Sequence, residues 1–247
     1  MRVEVKSLKL DEKVVFEKVV MDASFKRLPK TFQGKEACFM FLTKGSFQFR
    51  TPTDIYPINQ GEGMLAKCGN YFIEPSSNNA IQKTKAVTVI GAYFHPEIVK
   101  QFFQSDLSIE PFQRNFETEK VNIDPLMNSF VRNIDYMIEN PNLSDDNLIT
   151  NKLKELLILL SKSDNSNSIS DFITSLFVPY ENEFSEVIKA NICSDLSIPE
   201  LAKLTNTSLA TFKRKFAELY QESPGKYILK RKLEKATELL QIESMAI

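Results

Sequence analysis

The 247-residue chain has no tryptophan, one histidine, three cysteines and seven glycines. Each scarcity removes a class of chemistry. Divalent ions in small β-barrel enzymes are held by two or three imidazoles with a carboxylate, and His95 alone cannot supply that set. Standing directly before the helix-starting Pro96, His95 reads as a local hydrogen-bonding or packing group. A serine–histidine–acid set would consume the same histidine, and neither a G-x-S-x-G turn nor a phosphate-cradling glycine loop occurs. No catalytic residue, metal ligand or cofactor is expected. Cys38, Cys68 and Cys193 are widely spaced and lack the C-x-x-C pattern, which fits a reducing, cytoplasmic compartment. Cys38 and Cys68 read as ordinary buried thiols rather than a cross-strand pair. No apolar run reaches the length of a membrane span, and Met1 is followed by the charged run Arg2–Lys6, not by the apolar core of a leader.

What the chain does have is concentrated between Leu196 and Phe216. Ser197 and Glu200 form an S-x-x-E capping box, and Pro199 falls in a first helical turn, where its missing N–H costs nothing. Leu201 and Leu204 give one apolar face, and Ala202 is small enough for a second helix to cross closely. Asn206 suits the left-handed conformation of a sharp inter-helix turn. Ser208 then caps a helix, expected over Ser208–Tyr220, with the apolar stripe Leu209, Phe212, Phe216 and Leu219. Ala210, Lys213, Arg214 and Ala217 fall on another face. Two short helices, a tight turn and a basic second helix are the form of a helix-turn-helix, whose second helix enters the DNA major groove.

The charge distribution agrees. The net charge is −1, yet Lys203 to Lys235 holds nine Lys/Arg against three Glu. A basic module on an acidic body is expected where only one part meets phosphate, because counterion release rewards local positive charge.

At these residues the chain resembles the AraC/XylS family of transcriptional regulators. The resemblance continues through Ser223, Pro224, Tyr227, Lys232-Leu233, Ala236 and Leu239-Leu240. It implies a regulator that binds double-stranded DNA. In that scheme Arg214, whose fork can take guanine O6 and N7 together, and Lys213 are the candidates for base contact. Ala210 and Leu209 would touch a thymine methyl. Ser208, Lys215, Lys226, Lys230 and Arg231 are the candidates for phosphate contact, while Pro224, Tyr227, Leu233 and Ala236 are structural. The family's module has two helix-turn-helix units joined by a long helix, and Ile247 falls about where a second would begin.

Six of the seven glycines lie at or before Gly91, among short alternating segments such as Val3–Val5, Phe39–Phe41 and Phe47–Phe49. Thr43–Ser46 and Gln60–Gly63 are hairpin turn signals, and the whole suggests a small antiparallel barrel or double-sheet jelly roll. The region resembles the cupin-type sensor domain that many family members carry. Cys38, Met40 and Leu42 alternate with Phe39 and Phe41, so that strand is either buried on both faces or lines a pocket on one. Tyr56, Tyr71 and Tyr93 have hydroxyls that could orient a small-molecule effector; the sequence names no ligand-binding set.

Helices are expected over Pro96–Gln104, Asp124–Asn140 and Asp145–Leu160, with a polar linker from Ser161 to Ser168 and a short helix over Ile169–Phe177. Leu153, Leu156, Leu157 and Leu160 form an amphipathic stripe. The resemblance implies that such helices often pair two subunits, with packing on the barrel of the same chain as the alternative. The expected fold class is α+β: a cupin-like antiparallel β-barrel with its following helices over 1–163, a linker and bridging helix over 164–180, and an all-α helix-turn-helix segment over 181–247. A cupin enzyme without the usual metal site and a protein-binding adaptor are the rival readings.

Overall fold

The computed structural model describes residues 3–22, 24–31, 36–66, 70–76, 86–102, 118–121, 123–163, 173, 176 and 183–245. They group into two compact units, Met1–Phe49 with Tyr56–Tyr180, and Arg50–Ile55 with Glu181–Ile247. The mixed α+β class is as the patterning predicts.

The first unit is built on two sheets. Six strands run in the order β1 (Val3–Leu10), β2 (Lys13–Met21), β9 (Val87–Phe94), β4 (Ala37–Lys44), β7 (Gly63–Ala66) and β10 (Thr118–Val121). Every neighbouring pair among them is antiparallel. The other sheet runs β3 (Leu28–Thr31), β8 (Asn70–Pro75), β5 (Ser46–Arg50) and β6 (Ile55–Asn59).

The turn signals at Thr43–Ser46 and Gln60–Gly63 mark turns, but neither closes a hairpin. β4 and β5 lie in different sheets, and so do β6 and β7. At the first turn Gly45 has φ 87°, and a Cβ there would stand 3.1 Å from the Ala86 carbonyl oxygen. At the second, Gly61 has φ 86° and its N–H donates to the Leu42 carbonyl over 2.8 Å. Burial drives the crossing: Phe47 and Phe49 are buried in the cluster that β4 fills with Cys38, Met40 and Leu42. Moving β5 into the opposite layer lets one apolar face serve both sheets.

β4 is therefore buried on both sides. Phe39 and Phe41 join a second cluster with Phe94, Ile98 and Phe130. That cluster is closed by α1 (Pro96–Phe102), α2 (Pro125–Glu139) and α3 (Asp146–Ser163). α2 starts where the sequence places it, with Pro125 in the first turn and the Asp124 carboxylate accepting from the Met127 N–H over 2.7 Å. α3 runs on through Ser163, so the first residues of the expected Ser161–Ser168 linker are helical. The rest of that linker, and most of the Ile169–Phe177 helix, lie outside the described residues. Cys68 does too.

Leu153, Leu156, Leu157 and Leu160 belong to this same-chain cluster and are fully buried within it. Of the two alternatives left open by the spacing, packing within the chain is what these four leucines show: the face is occupied by the β-sheet and α2 of the same chain. Each such leucine contributes about 1.5–3 kcal/mol through burial. An ion cluster fastens α2 to the sheet surface. The Lys18 ammonium lies 2.7 Å from Asp135 and 2.8 Å from Glu139, and Lys6 also bonds Glu139.

The second unit holds α4 (Phe184–Asn191), α5 (Ile198–Leu204), α6 (Leu209–Tyr220) and α7 (Pro224–Met245). Within it, buried Asn191 is fully hydrogen-bonded: it accepts from Arg50 over 3.1 Å and donates to the carbonyls of Pro52 and Val187. A buried polar pair without those partners would be costly.

Candidate nucleic-acid interface

The turn between α5 and α6 follows from its residues. The Ser197 N–H and hydroxyl both donate to Glu200 Oε2, at 2.7 and 2.6 Å, which ties off the start of α5. Asn206 adopts φ 52°, the left-handed conformation expected of it. That reversal lets the Thr207 N–H bond the Ala202 carbonyl over 3.0 Å, while the Thr205 hydroxyl bonds the Leu201 and Ala202 carbonyls. Ser208 Oγ accepts from the Thr211 N–H over 3.2 Å and so caps α6.

Phe212 and Phe216 are the buried side of α6. The Phe184 ring from α4 sits 5.2 Å from Phe212, and Tyr220 and Tyr227 pack on Phe216 at 4.5 and 5.5 Å. The stripe is narrower than the sequence suggests. Leu209 is 40% exposed and Leu219 58% exposed. The buried side follows the four-residue steps Phe212, Phe216 and Tyr220, and the two leucines fall on its shoulders. Gln221, at φ 55°, ends the helix in a left-handed cap.

All four candidates for base contact are accessible. All are exposed: Ala210 and Arg214 stand opposite the phenylalanines, Lys213 on the flank, and Leu209 on the shoulder of the buried side. Arg214 has only a loose 4.0 Å approach to Glu218, and both side chains stand in water. Such a pair holds the guanidinium weakly, so it is available to another acceptor.

The candidates for phosphate contact divide. Lys215, Lys226 and Lys230 are exposed, with Lys226 lying 3.7 Å from Glu222. Arg231 is more committed, stacked 5.2 Å over the Tyr227 ring and bonded to Glu234 over 3.0 Å. The Ser208 hydroxyl is engaged by Thr211 in the cap. Among the residues assigned a structural role, Pro224 is buried and Tyr227 packs on Phe216, but Leu233 and Ala236 are exposed. They lie on the side of α7 turned away from the aromatic cluster, which corrects their assignment. Lys232, part of the Lys232-Leu233 pair that carries the resemblance, donates to the Ser194 carbonyl over 2.6 Å.

In the first unit the three tyrosines border one inter-sheet cluster. Tyr71 is buried between the sheets and stacks 5.0 Å from Phe49, while Tyr56 and Tyr93 pack against the same cluster. Sequence reading missed their acidic neighbour. Glu17 lies opposite Gly91 in the β2–β9 register and accepts the Tyr93 hydroxyl. A side chain at position 91 would stand 3.3 Å from Glu17 Cγ, so the glycine leaves room for it. Burial and the Glu17 charge push the Tyr93 phenol up, which keeps it protonated and donating. Arg27 and buried Glu74 form a second pair at 2.7 Å. The available signal was an acidic residue inside an apolar strand, Val15-Phe-Glu-Lys-Val19. His95 has the local role expected, its Nε2–H donating to the Val14 carbonyl over 2.8 Å. Among the described residues no His, Cys, Asp or Glu group is placed to hold a metal, and no helix is long and apolar enough to cross a membrane.

No curated protein matches the chain in sequence. Among solved structures, ToxT of Vibrio cholerae with a bound unsaturated fatty acid overlaps 97% of this chain and 81% of its own, at 13% identity and a TM-score of 0.41. The AraC-like transcriptional activator CuxR overlaps 95% of this chain and 86% of its own, at 11% identity and a TM-score of 0.36. The protein YhaK of Escherichia coli overlaps 50% and 52%, at 13% identity and a TM-score of 0.35. These whole-chain overlaps are loose. The firm match is over residues 37–172, described as the ExsA N-terminal regulatory domain. By that match the chain belongs to the AraC family of transcriptional regulators, with an N-terminal regulatory domain of the ExsA type.

Proposed function

We propose that the chain binds double-stranded DNA through α6, with Arg214 and Lys213 reading base edges and Ala210 and Leu209 making apolar contact in the major groove. The observation that carries this is the division of α6. Phe212 and Phe216 are buried, while Ala210 and Arg214 stand exposed on the opposite side, with Lys213 and Leu209 exposed on the flank between. A helix whose buried face is fixed by aromatic packing can present the other face rigidly, which recognition requires. Lys215, Lys226, Lys230 and Arg231 supply phosphate contacts; the peptide N–H groups at the start of α6 add to them, since the Ser208 hydroxyl serves the cap.

The regulatory unit is read as the sensor. Its inter-sheet cluster gathers Tyr56, Tyr71, Tyr93 and Glu17, hydroxyls and a carboxylate beside apolar walls, which suits a small effector with a hydrogen-bonding end. A cytoplasmic location accompanies this reading.

Enrichment from a randomised duplex pool tests the DNA assignment. The parent protein should select a motif with guanine at one position. Arg214→Ala should lose the preference there, at a cost of about 1–3 kcal/mol, while keeping the rest of the motif. An unchanged motif would overturn the assignment of Arg214.

A further inference from the structure

Arg50–Ile55, the connection from β5 to β6, is part of the second unit, while Phe49 and Tyr56 on either side of it stay in the first. Its two roots are fixed in the inter-sheet cluster. Phe49 is fully buried with its ring 5.0 Å from that of Tyr71, and Tyr56 and buried Ile58 belong to the same packing. The segment is also closed on itself. The Thr51 N–H donates to the Asp54 carbonyl over 2.9 Å, and the Asp54 N–H donates to Thr51 Oγ1 over 2.9 Å. Close-packed cores and closed turns pass a displacement on rather than absorb it.

Asn191, the last residue of α4, grips this segment. Its Oδ1 accepts from Arg50 over 3.1 Å, and its Nδ2 donates to the Pro52 carbonyl over 2.6 Å and the Val187 carbonyl over 2.9 Å. With both ends of the amide engaged, its orientation is fixed. The first residue of α4 is Phe184, whose ring lies 5.2 Å from Phe212 and 6.4 Å from Phe216, the buried side of α6. We propose that Asn191 is a positioning residue for α6 and takes its setting from the inter-sheet cluster through Arg50–Ile55. Repacking around Phe49 then changes how firmly α6 is held and how tightly it binds DNA. The second consequence rests on α6 being the DNA-reading helix; the first does not.

The link is short and stiff. Phe49 and Arg50 are consecutive, so the ring in the cluster and the guanidinium on Asn191 are joined by one peptide bond. Arg50 and Asn191 are both buried, and a buried polar pair is costly to separate, so a shift at Phe49 moves α4 sooner than it breaks the bond. The same end of α4 is tied to α7 as well. Ser194 Oγ donates to the Asn191 carbonyl over 2.7 Å, and Lys232 donates to the Ser194 carbonyl. A small molecule that favours one packing of the cluster would act on α6 by this route.

The test is amide hydrogen exchange of the full chain, read at α4 and α6, with binding to a labelled duplex carrying the enriched motif measured alongside. Phe49→Leu and Tyr71→Leu each repack the cluster, the second without altering the segment's own root. Each should speed exchange in α4 and α6, and weaken duplex binding, by about fivefold or more. In an Asn191→Ala chain, where the grip is already lost, adding either should change both readouts by less than about twofold. Leu156→Ala, which loosens the other cluster of the same unit, should leave α4 and α6 at parent rates. Near-ultraviolet circular dichroism checks that each variant is folded. Unchanged exchange in both cluster variants, equal acceleration by Leu156→Ala, or the full effect persisting in the Asn191→Ala chain would each overturn the proposal. A parent that binds no duplex would overturn the reading of α6, and the exchange rates alone would then decide the role of Asn191.

Discussion

The ring centroids of Phe212 and Phe216 lie 5.7 Å apart on one side of α6, and this pair decides what the helix shows to solvent. Because both rings are buried, Lys213 and Arg214 have to project away from them. The face proposed to read DNA is thus a consequence of packing. Arg214→Ala removes a charge without touching that core, which makes it the appropriate probe of recognition.

The left-handed residue at the turn gives a sharper test of the helix-turn-helix itself. Asn206→Gly should leave stability equal or slightly changed, since glycine accepts φ 52° at no steric cost. Asn206→Val should cost about 1–2 kcal/mol, because a β-branched side chain at positive φ is strained. Urea denaturation of the two variants measures the difference; equal midpoints would contradict the assigned turn.

Leu156 tests which of the two alternatives the leucine stripe serves. As a fully buried residue of the same-chain core, Leu156→Ala should destabilise the first unit by about 2–5 kcal/mol. The loss should be independent of protein concentration, as a denaturant series at two concentrations would show. A concentration-dependent loss would instead place Leu156 between subunits.

The ion cluster on α2 makes a pH prediction with a definite sign. Hydrogen bonds from Lys18 and Lys6 lower the Glu139 carboxyl from 4.5 to about 2. A depressed carboxyl contributes stability that is present above its unfolded value and is lost as pH falls through the folded one. The melting temperature should therefore fall as pH drops from about 4.5 toward 2, and Glu139→Gln should make that limb shallower. At Lys18 burial opposes the charge, but the hydrogen bonds it donates to Asp135 and Glu139 outweigh it and raise the ammonium above its usual 10.5. Its contribution is complete below that value and is lost only as pH rises through the raised one. An acid limb unchanged in Glu139→Gln would contradict the network.

What the sequence reveals of this protein is mostly local. The Ser197–Glu200 box, the reversal at Asn206 and the Asp124-Pro125 helix start each involve residues within a few positions, so spacing alone reveals them. The interactions that escape it are distant in the chain. Glu17 meets Tyr93 across 76 residues, and Lys18 meets Glu139 across 121. The glycine turns show an intermediate case. Gly45 and Gly61 disclose that the chain reverses, but not that it changes sheets, because that is decided by which layer buries Phe47 and Phe49. In the leucine stripe, amphipathic spacing reveals that a face is covered without revealing by what.

The central claim, that the exposed basic face of α6 and α7 meets the phosphates and bases of duplex DNA, is tested most directly by the salt dependence of binding. Fluorescence anisotropy with a labelled duplex carrying the enriched motif should give log K falling linearly with log salt. The slope should be about −3.5 to −4.5, corresponding to roughly four or five neutralised phosphates. A protein with Lys213→Ala and Arg214→Ala should bind more weakly to the motif and approach its affinity for unrelated duplex. A slope near zero, or equal affinity of parent and double variant for the motif, would contradict the account.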